Sequence, residues 1–147
     1  MTRRPQAQTV IAFDFGTRRI GVATGNGLTQ SAQPLTTLDP SDEQRLWVNL
    51  DRLIEEWQPD QLLVGLPDKD QSGVTRAGAE RFAAALESRY DLPLDLVAEH
   101  LTSFAAESEL RDSRRQGYKA RRVKLGEVDA VAARLIAEQW LSEQENE

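Results

Sequence analysis

The chain has 147 residues and a formal net charge of −6, with 39% of its residues apolar, 29% charged and none cysteine. Such a length can bury a real core as one domain, and the composition is that of a globular chain rather than a disordered one. The missing cysteines exclude disulfides, thiolate metal sites and a cysteine nucleophile. Asp14 interrupts the first apolar run too early for a signal peptide or a membrane span. The expectation is a single domain over 1–147 in a reducing cytoplasm, with residues 1–8 as a flexible N-terminal tail.

Residues 9–15, "TVIAFDF", alternate with period two. Ile11, Phe13 and Phe15 fall on one side, Val10, Ala12 and Asp14 on the other. A turn at Gly16–Thr17 and a second strand, "RIGVATG", make a hairpin, and a third short strand near 30–37 is weakened by Pro34. Residues 39–60 predict a helix with Ser41 and Gln44 at capping-box spacing. Its apolar stripe is Leu46, Leu50, Leu53, Ile54 and Trp57, and Pro59 ends it. "QLLVGLP" reads as a buried strand, 73–90 as a helix with Phe82, Ala85 and Leu86 inward, and "LPLDLVAE" as a strand ending at Glu99. "TSFAAESELRD" predicts another helix capped by Thr102 or Ser103. The last helix, "EVDAVAARLIAEQWL", has Val128, Val131, Ala132, Leu135 and Ile136 as its inner face. A hairpin followed by alternating helices and strands implies an α/β architecture, a mixed sheet with parallel later strands covered by helices.

Three acids stand out by position: Asp14 at the end of the first strand, Glu99 at the end of the last, and Asp129 in the first turn of the last helix. In open α/β sheets, ligands bind in the crevice at the carboxyl ends of the strands. If the first and last strands are parallel neighbours, Asp14 and Glu99 project from one edge, and a helix start facing the crevice brings Asp129 to them. Convergent carboxylates repel one another and call for a hard cation, Mg²⁺ or Mn²⁺, and two such ions serve in-line displacement at phosphorus. Each acid taken alone also reads as a turn former, a helix-start charge or a solvated edge residue. His100, the only histidine, offers a single candidate for imidazole chemistry, and the tryptophans Trp47, Trp57 and Trp140 read as core.

Residues 111–124, "RDSRRQGYKARRVK", carry seven of the 18 Lys and Arg residues and one acid, a basic segment on an acidic body. It reads equally as a solvated loop or as a phosphate-steering surface, with Tyr118 as a stacking aromatic.

"DFGTRRIGVA" at 14–23, "LLVGLP" at 62–67, "EHLTS" at 99–103 and "VDAVAARLI" at 128–136 occur in the order found in the YqgF/RuvX family, which this chain resembles over about residues 9–142. The resemblance implies a ribonuclease H-like fold, a mixed five-stranded sheet flanked by helices, related to the RuvC Holliday-junction resolvases. It implies catalytic, metal-binding acids at Asp14, Glu99 and Asp129. In the family's "DERLT" motif this chain keeps the Glu as Glu99 and has Ala98 and His100 for the flanking Asp and Arg.

The function so implied is a nuclease using Mg²⁺ or Mn²⁺, with maturation of the 5′ end of pre-16S rRNA favoured over resolution of branched DNA. Arg18, Arg19, Arg114, Arg115, Lys119, Arg121, Arg122 and Lys124 are expected to hold the nucleic-acid backbone. The expected partners are nucleic acid and ribosomal particles, with no membrane, and the protein is expected to be a monomer or weak homodimer. Two rivals remain. One is a phosphotransferase of the actin/hexokinase type, which "DFGT" also suggests but which needs a second domain. The other is a non-catalytic module that uses the fold to bind RNA or protein.

Overall fold

The computed structural model describes residues 9–16, 18–66, 73–98 and 125–145, the side chains of 73–75, 125–129 and 145 excepted. Strand β1 (Thr9–Phe15) alternates as its sequence requires. Ile11 and Phe13 face one side and Val10 and Ala12 the other, and all four are fully buried. Strand β2 (Ile20–Asn26) returns antiparallel to it. The hairpin closes where the Gly16 N–H donates to the Arg19 carbonyl at 2.9 Å. A Cβ on Gly16 would stand 2.8 Å from that same oxygen, so this turn accepts only glycine. Strand β3 (Ser31–Leu38) pairs antiparallel with β2 at the sheet edge, where Pro34 is tolerated beside an irregularity between Val22 and Ala23.

Helix α1 (Glu43–Trp57) is capped by Asp42, not by Ser41: the Asp42 carboxylate accepts from the Arg45 N–H at 3.1 Å. The Ser41 N–H instead donates to Asp39 at 2.9 Å, which shifts the helix start by one residue from the capping-box expectation. Gln58, with φ of 48°, and then Pro59 end the helix. Strand β4 (Gln61–Leu66), helix α2 (Gly73–Tyr90) and strand β5 (Leu94–Ala98) follow, and then helix α3 (Leu125–Glu145). The sheet order is β3-β2-β1-β4-β5, with β1, β4 and β5 parallel. The mixed sheet is as the sequence predicts, but β1 and β5 are not neighbours, because the crossover through α1 lays β4 between them.

Helices α1 and α2 cover one face. Leu46, Leu50, Ala79, Phe82, Ala83 and Leu86 pack there on Ile11, Phe13, Ile20, Val22, Leu62 and Val64. Helix α3 covers the other, with Ile136, Ala137, Trp140 and Leu141 on Val10, Ala12, Leu63 and Val97. Ala132 and Ile136 are buried as expected. Val131 and Leu135 are only half-buried, since Ala133, Ala137, Trp140 and Leu141 carry the contact. Trp47 and Trp57 are likewise half-buried, whereas Trp140 is core. Among the described residues no helix is long and apolar enough to cross a membrane.

A surface clasp ties α1 to α2. Arg89 holds Asp51 with two bonds of 2.8 and 2.7 Å, the Tyr90 hydroxyl donates to the same carboxylate at 2.6 Å, and Arg89 lies 5.2 Å over the Trp47 ring. The Arg89 bond, followed by that of Tyr90, lowers the Asp51 carboxyl from its ordinary 3.8 to about 2. A carboxylate lowered by folding adds stability that is present above its unfolded value and lost as pH falls through its folded one. The difference in melting temperature between wild type and Asp51→Asn is therefore expected to be largest above pH 4 and to close toward pH 2. Thermal melts across that window check this, and a difference that stays constant would show that ionisation of Asp51 is not what the clasp uses.

Candidate active site

Asp14 sits one residue before the end of β1, half-buried, on the same face as Val10 and Ala12 and hence on the α3 side. Its register partners are Gly21 in β2 and Gly65 in β4. Directly opposed residues share a face, so the two strand positions beside Asp14 carry no side chains. Neither glycine stands out in the sequence as part of a site. Glycine inside an otherwise apolar strand is the available signal, since it can mark close approach of a ligand or backbone.

The course of α3 follows from its anchors. Ala137 and Leu141 meet Gly25, which pairs with Val10 near the start of β1, and the Trp140 indole N–H donates to Asp95 at 2.8 Å near the start of β5. The carboxyl half of α3 thus lies over the amino ends of the parallel strands, and the helix runs back toward their carboxyl ends. From Ala137 to Asp129 the helix rises about 12 Å, and from Val10 to Asp14 the strand rises about 13 Å. Asp129 belongs to the amino half of α3, the carboxyl half of which holds those contacts. It is the fifth residue of α3 rather than part of its first turn, because the helix begins at Leu125.

Strand β5 ends on the same edge, with Val97 and Ala98 registered on Gly65 and Leu66. Glu99, the residue covalently joined to Ala98, lies outside the described residues, as do His100, the helix expected at 102–112 and the basic residues Arg114, Arg115, Lys119, Arg121, Arg122 and Lys124. Arg18, exposed, and Arg19, half-buried, stand in the β1–β2 hairpin at the Asp14 edge. Among the described residues no three His, Cys, Asp or Glu side chains group closely enough to hold a metal ion. Of the three acids, only the Asp14 side chain belongs to that set.

A mixed sheet in this order, with an acid at the end of its first strand and a long helix across that face, is the ribonuclease H-like fold of the RuvC-type resolvases. The solved structure of Thermus thermophilus RuvC in complex with a Holliday junction substrate superposes with a TM-score of 0.62 at 13% identity, covering 95% of this chain and 96% of that one. Fowlpox virus resolvase, solved with a Holliday junction, gives 0.57 at 9% identity over 93% and 99%. The family model for RuvX, Holliday junction resolvase, matches residues 8–143, and the chain belongs to that family. Among its relatives, proteins named "Putative pre-16S rRNA nuclease" from Glaesserella parasuis and Legionella pneumophila are 43% and 42% identical. They align with 94% and 92% of this chain and with 99% and 96% of their own lengths.

Proposed function

We propose that this protein is a divalent-metal-dependent nuclease, one domain acting in the cytoplasm as a monomer or weak homodimer, that cuts precursor RNA at the 5′ end of pre-16S rRNA. The observation that carries the reading is Asp14, set between Gly21 and Gly65 at the end of β1. The names of the 43% and 42% identical relatives favour pre-16S rRNA as substrate.

Asp14, Glu99 and Asp129 would hold Mg²⁺ or Mn²⁺. Their carboxylate oxygens are hard donors that suit these ions, and the sheet positions flanking Asp14 are glycines, which add no side chain of their own. Strands β1 and β5, with β4 between them, are about 10 Å apart, a span that an Asp and a Glu with one or two ions between them can bridge. Bound there, the metal would supply a water nucleophile at neutral pH and charge neutralisation at the leaving oxygen. The chain's own part is to fix these carboxylates on rigid elements and to hold the RNA backbone. Arg18 and Arg19 would do so at the hairpin and the basic residues of 111–124 beyond it, leaving products with a 5′-phosphate and a 3′-hydroxyl. Branched DNA is the second reading, favoured by the family's description as a Holliday junction resolvase.

The test incubates end-labelled 5′-leader RNA and a four-way DNA junction in parallel with the purified protein in Mg²⁺, Mn²⁺ or EDTA. Expected is cutting of the RNA in either metal, none in EDTA, and slower cutting of the junction. Cutting that persists in EDTA would refute metal dependence, and cutting of the junction alone would move the substrate to DNA.

A further inference from the structure

At one corner of the sheet three strands turn polar together. On the face that α1 and α2 cover, β1 enters through Thr9 before Ile11 and Phe13, β2 leaves through Thr24 and Asn26 after Ile20 and Val22, and β3 opens with Ser31 and Gln33. The register sets these residues in two rows, one of Thr9, Asn26 and Ser31, the other of Ile11, Thr24 and Gln33. Directly opposed residues share a face, so the polar side chains continue the surface on which Ile11 carries the core. Helix α1 stops short of this corner, because Gln58, with φ of 48°, and Pro59 end it at Trp57. Past the helix end lies a pocket of about 270 Å³ lined by Thr9, Thr24, Asn26, Ser31, Gln33 and Trp57.

The chemistry of that lining is selective. Thr24 is only 6% exposed, yet among the described residues no hydrogen bond engages its hydroxyl or the Gln33 carboxamide. A hydroxyl so buried costs stability until a partner bonds it. Asn26 Oδ1 accepts from the Leu28 and Thr29 N–H groups at 2.8 and 3.2 Å, which fixes the carboxamide and leaves its amide hydrogens to donate. Among the described residues no Lys, Arg, Asp or Glu lines the pocket, and Asp60, which accepts from the Thr9 N–H at 3.1 Å, stands beside it. An anion therefore finds a carboxylate nearby and no cation, and a metal ion finds no acid in the lining. What fits is a neutral planar group with a face for the indole and donors and acceptors along its edge, which describes a nucleobase. The volume, just below the roughly 300–1,000 Å³ of sites for drug-sized ligands, suits one base rather than several.

We propose that this pocket binds one unpaired nucleobase of the RNA, stacked on Trp57 and read along its edge by Gln33, Asn26 and Thr24. That the base belongs to an RNA strand rests on the nuclease reading, whereas the fit of a base to the pocket does not. Thr9 and Asp14 are five residues apart on β1, about 17 Å, and Asp14 faces the other side of the sheet. At about 3.4 Å per stacked nucleotide, the bound base stands at least five nucleotides from the phosphate that is cut. The pocket holds substrate and takes no part in breaking the bond.

The test follows the tryptophan indole N–H signals of ¹⁵N-labelled protein by nuclear magnetic resonance while adenosine, guanosine, cytidine, uridine or ribose is added. The Trp57 signal is the one missing from Trp57→Phe. Nucleosides are expected to shift it and to leave that of Trp140, on the other face, in place, while ribose shifts neither. Gln33→Ala changes an exposed position, and Thr24→Val keeps the side-chain shape, so both should fold and Thr24→Val should melt no lower than wild type. Each is expected to weaken nucleosides, and single-stranded leader RNA bound in EDTA, by roughly three- to tenfold, the size of one lost hydrogen bond. Nucleosides that leave the Trp57 signal unmoved at about 10 mM, or ribose that moves it equally, would overturn the proposal. Nucleosides that bind while leader RNA holds equally to all three proteins would make the ligand a free nucleoside and overturn the RNA assignment. If nucleosides bind and both variants weaken leader RNA, yet wild type cuts no RNA in Mn²⁺, the pocket stands and the nuclease reading fails.

Discussion

Asp14→Asn is expected to slow cutting of leader RNA by roughly 10²–10³, the usual size of removing one charge-stabilising group from a reacting centre. Asn keeps the shape of the side chain and its ability to accept a hydrogen bond, so β1 and its pairing with Gly21 and Gly65 should persist. The variant should therefore still unfold as a cooperatively folded protein. Single-turnover cutting beside a thermal melt checks both parts. A variant that melts like wild type and cuts like wild type would remove Asp14 from the chemistry.

The largest effect on stability is expected at Phe82. Its ring lies under the end of β1, edge-on to Phe13 with centroids 5.5 Å apart, and within 5.4 Å of Phe15 and 6.1 Å of Trp47. It is 6% exposed and links α2 to both the sheet and α1. Phe82→Ala removes this shared wall from a packed core that relaxes only in part, at a cost of about 3–5 kcal/mol. For a chain of this size that lowers the melting temperature by about 10 °C. Denaturant unfolding of wild type and variant measures it, and a loss below about 1 kcal/mol would mean that the aromatic cluster repacks without Phe82.

Much of the fold could be read because two periodicities compete plainly in this sequence. The alternation of Ile11, Phe13 and Phe15 against Val10, Ala12 and Asp14 survives in β1, and the bounds 73–90 for α2 coincide with the structure. Strand order was less legible, since apolar pattern says which face of a strand is buried but not which strand lies beside it. Hence β4, not β5, is the neighbour of β1. The cap of α1 moved from Ser41 to Asp42 because both residues are good caps and the choice depends on where Asp39 turns the chain. The inner face of α3 was shifted for a related reason. Large apolar residues drew the expectation to Val131 and Leu135, whereas Ala133 and Ala137 are fully buried and Ala137 meets Gly25 of β2.

At the site, position and family resemblance both point to Asp14, and the structure adds the glycines on either side of it, which the sequence reading had not used. That Asp129 joins Asp14 is a proposal. The place of Glu99 in the site and the role of the basic residues of 111–124 stand as proposals, because those residues lie outside the described part of the chain.

The most direct test of the account is Mn²⁺ binding to the RNA-free protein, measured for wild type, Asp14→Asn, Glu99→Gln and Asp129→Asn under one set of conditions. If the three acids form one centre, each single substitution should weaken the same ion by about tenfold or more, since each removes one ligand from a shared set. Unchanged Mn²⁺ affinity in Glu99→Gln or Asp129→Asn would show that Asp14 is not joined by that acid, and the three-carboxylate site would not stand.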